Sequence, residues 1–381
     1  MTCRELPGAG LGPTPGNMNS INDTELSSPE GTRSEFNRSK AAIKLGLDVH
    51  QEFYVVVVQE GGSNPKPAQR LAKGAFLVWA AKLRRSHPEA AIHAVYEACG
   101  FGFGLQRQLS ALGIKCYVVC PQKLDERGQR VKTDGRDAKA LVLKLDRFVE
   151  GNQEALAVVR VPSEEEEQLR AIHRQREQLV RTRKQLEAHG RSLLVNHGVE
   201  PEKRWWKRRT FAGLEVPRWL KDLLGNTQPL LLALEEKIRA LTVQLQESAA
   251  PNQPRGLGAL SSVVIDREIG SWARFRNRRQ VGSYTGLCPG EYSSGQTRRQ
   301  SCVTKHGNPR LRAALVETAW RLVRFQPNYR AIVKWRHLLG KGALATGAAR
   351  KKAITAVARQ LAVDLWRIRT GRVRATELGL I

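Results

Sequence analysis

The stretch "AAIKLGLDVHQEFYVVVVQ", residues 41–59, decides the fold. Two runs rich in Ile, Leu, Val and Tyr flank a polar break at His50–Glu52, the pattern of two strands joined by a turn. Working outward, a short third strand is expected near 68–73. "FLVWAAKLRRSH" (76–87) predicts a helix, and "AIHAVYE" (91–97) a buried strand ending at Glu97. "GFGLQRQLSALG" (102–113) predicts a helix stopped by Gly113, followed by a strand in "IKCYVVC" (114–120). A further helix starts near Asp134 and runs to about Val149. Three strands, then helix, strand, helix, strand, helix, define a mixed α/β sheet with its carboxylates at the ends of elements.

The chain has 381 residues, enough for two or three domains, and 41% are hydrophobic, which excludes a wholly disordered chain. Sixty-three Lys and Arg against 36 Asp and Glu give a formal charge of +27. An excess of that size spread along the chain implies a polyanionic partner, with nucleic acid first among them. No apolar run approaches the ~20 residues of a membrane span, and the N-terminus lacks the basic-then-apolar order of a signal peptide. The six cysteines form no CxxC pair and are read as reduced thiols of a cytoplasmic protein.

Four segments are expected. Residues 1–39, rich in Gly, Pro, Ser and Asn, form a disordered tail, and 40–160 the α/β domain. Residues 161–250 form a helical coiled-coil arm. It opens at a capping box, Ser163 to Glu166, and carries Ile172, Leu179, Leu186 and Leu193 at seven-residue spacing. Within it "EKRWWKRRTF" (202–211) sets Lys203, Arg204 and Lys207 around Trp205 and Trp206, suited to phosphate contact and base stacking or, equally, to a core. A second helix is expected over 228–248. Residues 251–381 form a mainly helical domain. It holds a Gly-, Pro- and Ser-rich loop at "GLCPGEYSSG" (286–295), helices from about Pro309 and over 344–370, and basic candidates Arg298, Arg299, Lys305, Arg310 and Arg312.

Asp48 and Glu97 end buried strands, and Asp134 and Asp137 share a helix face three residues apart. Each alone reads as a cap or salt bridge. Together they suit hard divalent cations, which take oxygen ligands and serve phosphate chemistry. His50 is a candidate base, although a histidine at a strand end more often packs. The element order with these acids resembles a ribonuclease-H-like fold of the RuvC type. "GLDVHQ", "YEACGFG", "KTDGRDAKAL", "GLCPGEYSSG" and "TKHGNPRLRAALVETAW" resemble the DEDD transposases of the IS110 insertion-sequence family, especially its IS1111 branch, over about 41–340.

The resemblance implies that Asp48, Glu97, Asp134 and Asp137 are the DEDD tetrad, holding Mg2+ or Mn2+. It also implies that Ser294 is the nucleophile that cuts and rejoins donor and target DNA to move a mobile element. It further implies a structured non-coding guide RNA, assembly as dimers into a tetramer, and a nucleoid-associated life in a prokaryotic cytoplasm. Tyr292 is a rival nucleophile. Two other readings are a RuvC-like junction nuclease using water and a catalytically dead nucleic-acid-binding protein.

Overall fold

β1 (Ile43–Val49) and β2 (Phe53–Glu60) form the expected antiparallel hairpin, with Leu47 opposite Val56 and Asp48 opposite Val55. This computed structural model describes residues 42–121, 133–251, 253–295 and 297–381, apart from the side chains of Arg298 and Gln300. The tail 1–39 and Lys132 lie outside the described residues. β3 (Gln69–Ala72) pairs with β2, while β4 (Ile92–Glu97) runs parallel to β1 and β5 (Lys115–Val119) parallel to β4. The sheet order is β3-β2-β1-β4-β5, a mixed five-stranded sheet. Helices α1 (Lys73–Ser86), α2 (Gly104–Ala111) and α3 (Asp134–Val149) follow β3, β4 and β5.

Alternation along β1 assigns its faces. Ile43, Leu45 and Leu47 pack with Phe76 and Ala80 of α1 and Leu105 and Leu109 of α2. The intervening residues Lys44, Gly46 and Asp48 face the other way, toward α3. There Ala138 and Val142 of α3 pack on Val55 and Val57, and Leu141 and Leu145 on Val95 and Val119. A Cβ on Gly46 would lie 2.1 Å from the Ala138 carbonyl oxygen and 2.7 Å from the Val142 nitrogen, so glycine alone lets α3 approach this closely. Beside it, Lys44 is buried and its Nζ is paired with Asp146 of α3, with Gly61 O at 3.2 Å as a further acceptor.

The chain divides between Val161 and Pro162 into two units. The second opens with α4 (Glu164–Asn196), whose capping box is formed: Ser163 Oγ accepts from Glu166 N at 3.2 Å, and Ser163 N donates to Glu166 Oε2 at 3.1 Å. After the short α5 (Arg208–Ala212) comes α6 (Arg218–Glu247), which starts ten residues before the expected position and runs through Pro229. Proline removes one ladder bond and crowds the carbonyl four residues back. Here that residue is Gly225, and burial of Leu220, Leu224 and Leu231 holds the helix on both sides of the proline.

α4 and α6 run antiparallel, as Arg176 donating to Thr242 Oγ1 at 2.6 Å and Arg183 meeting Glu235 at 3.5 Å show. Trp205 and Trp206 are fully buried beside Leu194 and Leu220, which removes them from base stacking and makes them core. The Trp205 ring sits where a side chain at residue 190 would be, so Gly190 is required, and its Nε1 donates to Glu187 O at 2.9 Å. The seven-residue series Ile172, Leu179, Leu186 and Leu193 is only half-buried; the buried positions of α4 are His173, Gly190 and Leu194.

α7 (Ala259–Ile269) and α8 (Arg278–Thr285) follow. The expected Gly/Pro/Ser-rich loop is instead an antiparallel hairpin of β6 (Pro289–Ser294) and β7 (Thr297–Val303). Its residues are polar or small and show no apolar alternation, so the backbone ladder rather than burial forms it. α9 (Pro309–Phe325) starts as expected, with Asn308 Oδ1 capping Arg310 N and Leu311 N. Two single turns, α10 (Arg330–Val333) and α11 (Arg336–Leu339), lead to α12 (Gly347–Arg369). Leu311, Leu315 and Leu322 pack in one core with Ile354, Val357 and Leu361. The described cysteines are all free thiols, and no described helix is long and apolar enough to cross a membrane.

Candidate active site

The C-terminal ends of β1 and β4 and the first turn of α3 bound a cavity of about 210 Å³. Asp48, Glu97, Asp134 and Asp137 all line it, with His50. Parallel pairing of β1 with β4 brings the two strand ends side by side. The close approach at Gly46 and the Lys44–Asp146 pair then set α3 over β1. Asp134 and Asp137 also suit the first turn electrostatically, where free N–H groups favour negative charge.

The tightest group is Asp48, His50 and Asp134, one ligand atom from each lying within 4.8 Å of the others. His50 Nε2 is 3.3 Å from Asp48 Oδ2 and 3.3 Å from Asp134 Oδ2. Glu97 and Asp137 share the cavity wall but stand outside this group. The sequence alone offers His50 only as a base and favours packing. Its signal is the spacing of two from Asp48 at a strand end, which returns a side chain to the same face. Burial, the largest influence, raises the Asp48 carboxyl above its usual range; Asp134 and Asp137 add to the rise, and His50 opposes it. Crowded carboxylates with one imidazole in a small cavity are a donor set that fits a divalent cation.

In the second unit Ser294 is the last residue of β6 and is exposed, before a turn at Gly295 with φ +57°. Ser293 donates to Glu291 Oε1 at 2.8 Å, and Tyr292 is 75% exposed. Arg299 lies exposed opposite Tyr292 on β7, and the Arg298 side chain is outside the described set. Lys305, exposed, has φ +56° and is the one non-glycine with positive φ among the described residues. Arg310 and Arg312 are engaged internally: Arg310 Nε donates to Glu177 Oε2 at 2.7 Å, and Arg312 Nη1 to Thr285 O at 3.2 Å and Lys305 O at 3.3 Å. Lys203 is exposed, while Arg204 and Lys207 share Glu235 at 3.5 and 3.2 Å.

Comparison with known proteins assigns both units to one class, the transposases. A DEDD-type profile described as a transposase matches residues 45–198, and a profile described as the IS116/IS110/IS902 transposase family matches 252–334. A Sinorhizobium fredii protein named as transposase y4rJ is 34% identical over 305 residues, covering 72% of this chain and 76% of its own length. A second from that organism, named as transposase y4qE, is 29% identical over 367 residues, covering 85% and 87%. The transposase of insertion sequence element IS1111A from Coxiella burnetii is 24% identical over 307 residues, covering 76% and 81%. The chain belongs to the IS110/IS116/IS902 family of transposases, enzymes that cut and rejoin DNA to move an insertion sequence.

Proposed function

We propose that Asp48, Glu97, Asp134 and Asp137 hold Mg2+ or Mn2+ at the active site and that Ser294 is the nucleophile. The observation that carries the reading is the meeting of all four acids on one small cavity, from two strands and one helix. The sheet order supports a ribonuclease-H-like fold of the RuvC type for 40–160. Held there, a divalent cation would supply Lewis-acid polarisation of the scissile phosphate. The four carboxylates would hold it, and His50 Nε2, 3.3 Å from both Asp48 and Asp134, stands between two of them. Ser294 Oγ attacks phosphorus, the bond to a deoxyribose oxygen breaks, and that oxygen takes up a proton from water. The serine hydroxyl proton passes to a carboxylate of the tetrad. The phosphoserine link keeps the energy of the broken bond, so the reverse step joins a new strand end without an external energy source. Arg299, on β7 beyond the turn, offsets phosphoryl charge.

The reading requires the acids and Ser294 to meet, within one chain or across a dimer. The antiparallel α4–α6 pair supports an arm over 161–250 that carries 251–381 to a neighbour, in dimers that pair into a tetramer. Donor and target DNA are the substrates, selected by a structured guide RNA from the element. The surplus of positive charge suits RNA and DNA alike. The enzyme then works among nucleoid DNA in the cytoplasm.

The test is a pair of variants. Asp134→Asn removes a ligand without adding bulk and is expected to abolish cleavage while sparing DNA binding. Ser294→Ala is expected to stop strand exchange, and the wild-type protein–DNA adduct to map to Ser294. An adduct on Tyr292, or cleavage by Ser294→Ala with no covalent link, transfers the case to the tyrosine or to the water-using nuclease. Full activity in EDTA removes the metal.

A further inference from the structure

A cleft of about 810 Å³ opens in the second unit, lined by Arg276, Arg278 and Arg279 at the start of α8, Arg359 and Arg367 on α12, and Arg372 just beyond it. No Asp or Glu lines it. Among the described residues the one carboxylate in ion-pair reach of the six is Asp364, 3.6 Å from Arg367. That carboxylate is buried and already accepts from Tyr329 Oη at 2.7 Å and Gln360 Nε2 at 2.9 Å. Six guanidinium charges against one carboxylate leave five in surplus.

Other arginines of this unit are handled differently. Arg174 lies on Glu268 at 2.9 Å, Arg310 on Glu177 at 2.7 Å, and Arg183, Arg204 and Lys207 converge on Glu235. Like charges brought together repel, and packing gives no reason to leave four of the six exposed and unpaired around one hollow. The hollow does have a reason if its occupant is anionic. Guanidinium groups match phosphate in shape as well as charge, donating two parallel hydrogen bonds. The wall offers no base platform: Trp366 is 4% exposed and the Arg372 guanidinium covers it at 4.2 Å. Charge without a free aromatic face selects backbone over bases. The volume lies within the ~300–1,000 Å³ of ligand clefts, room for a short run of backbone. Cys288 on the same wall is followed directly by Pro289, where β6 begins.

We propose that this cleft grips the sugar–phosphate backbone of a nucleic-acid strand, whatever its base sequence, and holds that strand beside the β6–β7 hairpin. The proposal rests on a nucleic-acid substrate and is independent of which residue is the nucleophile.

The test uses the full chain, with Arg276, Arg278, Arg279 and Arg359 all changed to Gln. Affinity for a random-sequence duplex DNA and for a random-sequence RNA is measured across a range of KCl concentrations. The slope of log K against log salt is expected to fall by roughly two to four units, about one for each phosphate no longer neutralised, and affinity by more than tenfold. Exchanging the same four for Lys is expected to restore most of the slope. A weaker grip on DNA alone assigns the cleft to a DNA strand, on RNA alone to an RNA strand, and either supports a backbone site. Unchanged slope and affinity on both probes, with helical circular dichroism intact, overturn it. So does a larger effect from the Arg204→Gln, Lys207→Gln pair, whose charges Glu235 already offsets. Should the fourfold variant not fold, the single Gln variants are read the same way, each expected to remove about one unit of slope.

Discussion

Gly46 carries as much of the candidate site as any acid does. It has no chemistry of its own, yet α3 rests on it, and α3 brings Asp134 and Asp137 to Asp48. Gly46→Ala places a methyl group where the Ala138 carbonyl lies, and overpacking of this kind costs about 1–3 kcal/mol. The helix is expected to lift at its near end. Thermal melting should show the lower stability, and Mn2+ titration a cation affinity at least tenfold weaker; unaltered affinity would show that α3 is placed by something else. Asp48, Glu97, Asp134 and Asp137 are legible in the sequence because strand ends and helix starts can be read from apolar patterning. His50 is read there only as a base or a packing residue, because one histidine after a strand gives no sign of which acids will converge on it. The two tryptophans are ambiguous for a related reason. A basic run with aromatics looks alike whether the rings face solvent or a neighbouring helix, and only Gly190 opposite Trp205 decides it.

Among the elements, α4, α7 and α9 are tied through one buried carboxylate. Glu268 accepts from His173 at 2.7 Å, Arg174 at 2.9 and 3.0 Å, and Asn308 at 2.6 Å. Burial, the largest influence, pushes its pKa up, but hydrogen bonds from these three and the Arg174 charge outweigh burial and hold it well below the usual 4.5. A group depressed in the folded state stabilises above its unfolded value, and that contribution is lost as pH falls through the folded one. Stability is therefore expected to decline from about pH 4.5 downward. Glu268→Gln should cost about 3 kcal/mol at neutral pH by leaving the Arg174 guanidinium without its carboxylate. Urea melts at a series of pH values should then show a flatter acid limb for the variant, and parallel limbs would rule Glu268 out as the source. This cluster is invisible in the sequence, since Glu268 lies 94 and 95 residues from Arg174 and His173 and 40 from Asn308. Periodicity locates the long helices but places the start of α6 ten residues late. It also passes over β6 and β7, whose Gly, Ser, Arg and Gln residues carry no alternation to detect.

For the whole molecule, the charge of +27 acts twice with opposite signs. It draws a polyanion and strains the fold by self-repulsion. Added salt is expected to weaken DNA binding steeply, with log K falling ~0.9 per phosphate neutralised, and to raise the melting temperature of the free protein. Both are measurable on one preparation, by fluorescence anisotropy and by scanning calorimetry across KCl. A binding slope near zero would remove the polyanion. Composition is enough to announce that partner. It cannot locate the binding surface, because basic residues in helices serve ion pairs and ligands alike until their acids are placed.

The β6–β7 hairpin has a further consequence. No described side chain of either strand is buried, and a two-stranded ribbon without an apolar face is marginal in water. Its amides are expected to exchange hydrogen far faster than those of α9, and to slow when DNA is bound. If Ser294 is the nucleophile proposed above, its hydroxyl is then not held still before DNA is bound. On that reading the looseness of the ribbon itself would restrain strand attack until DNA orders it.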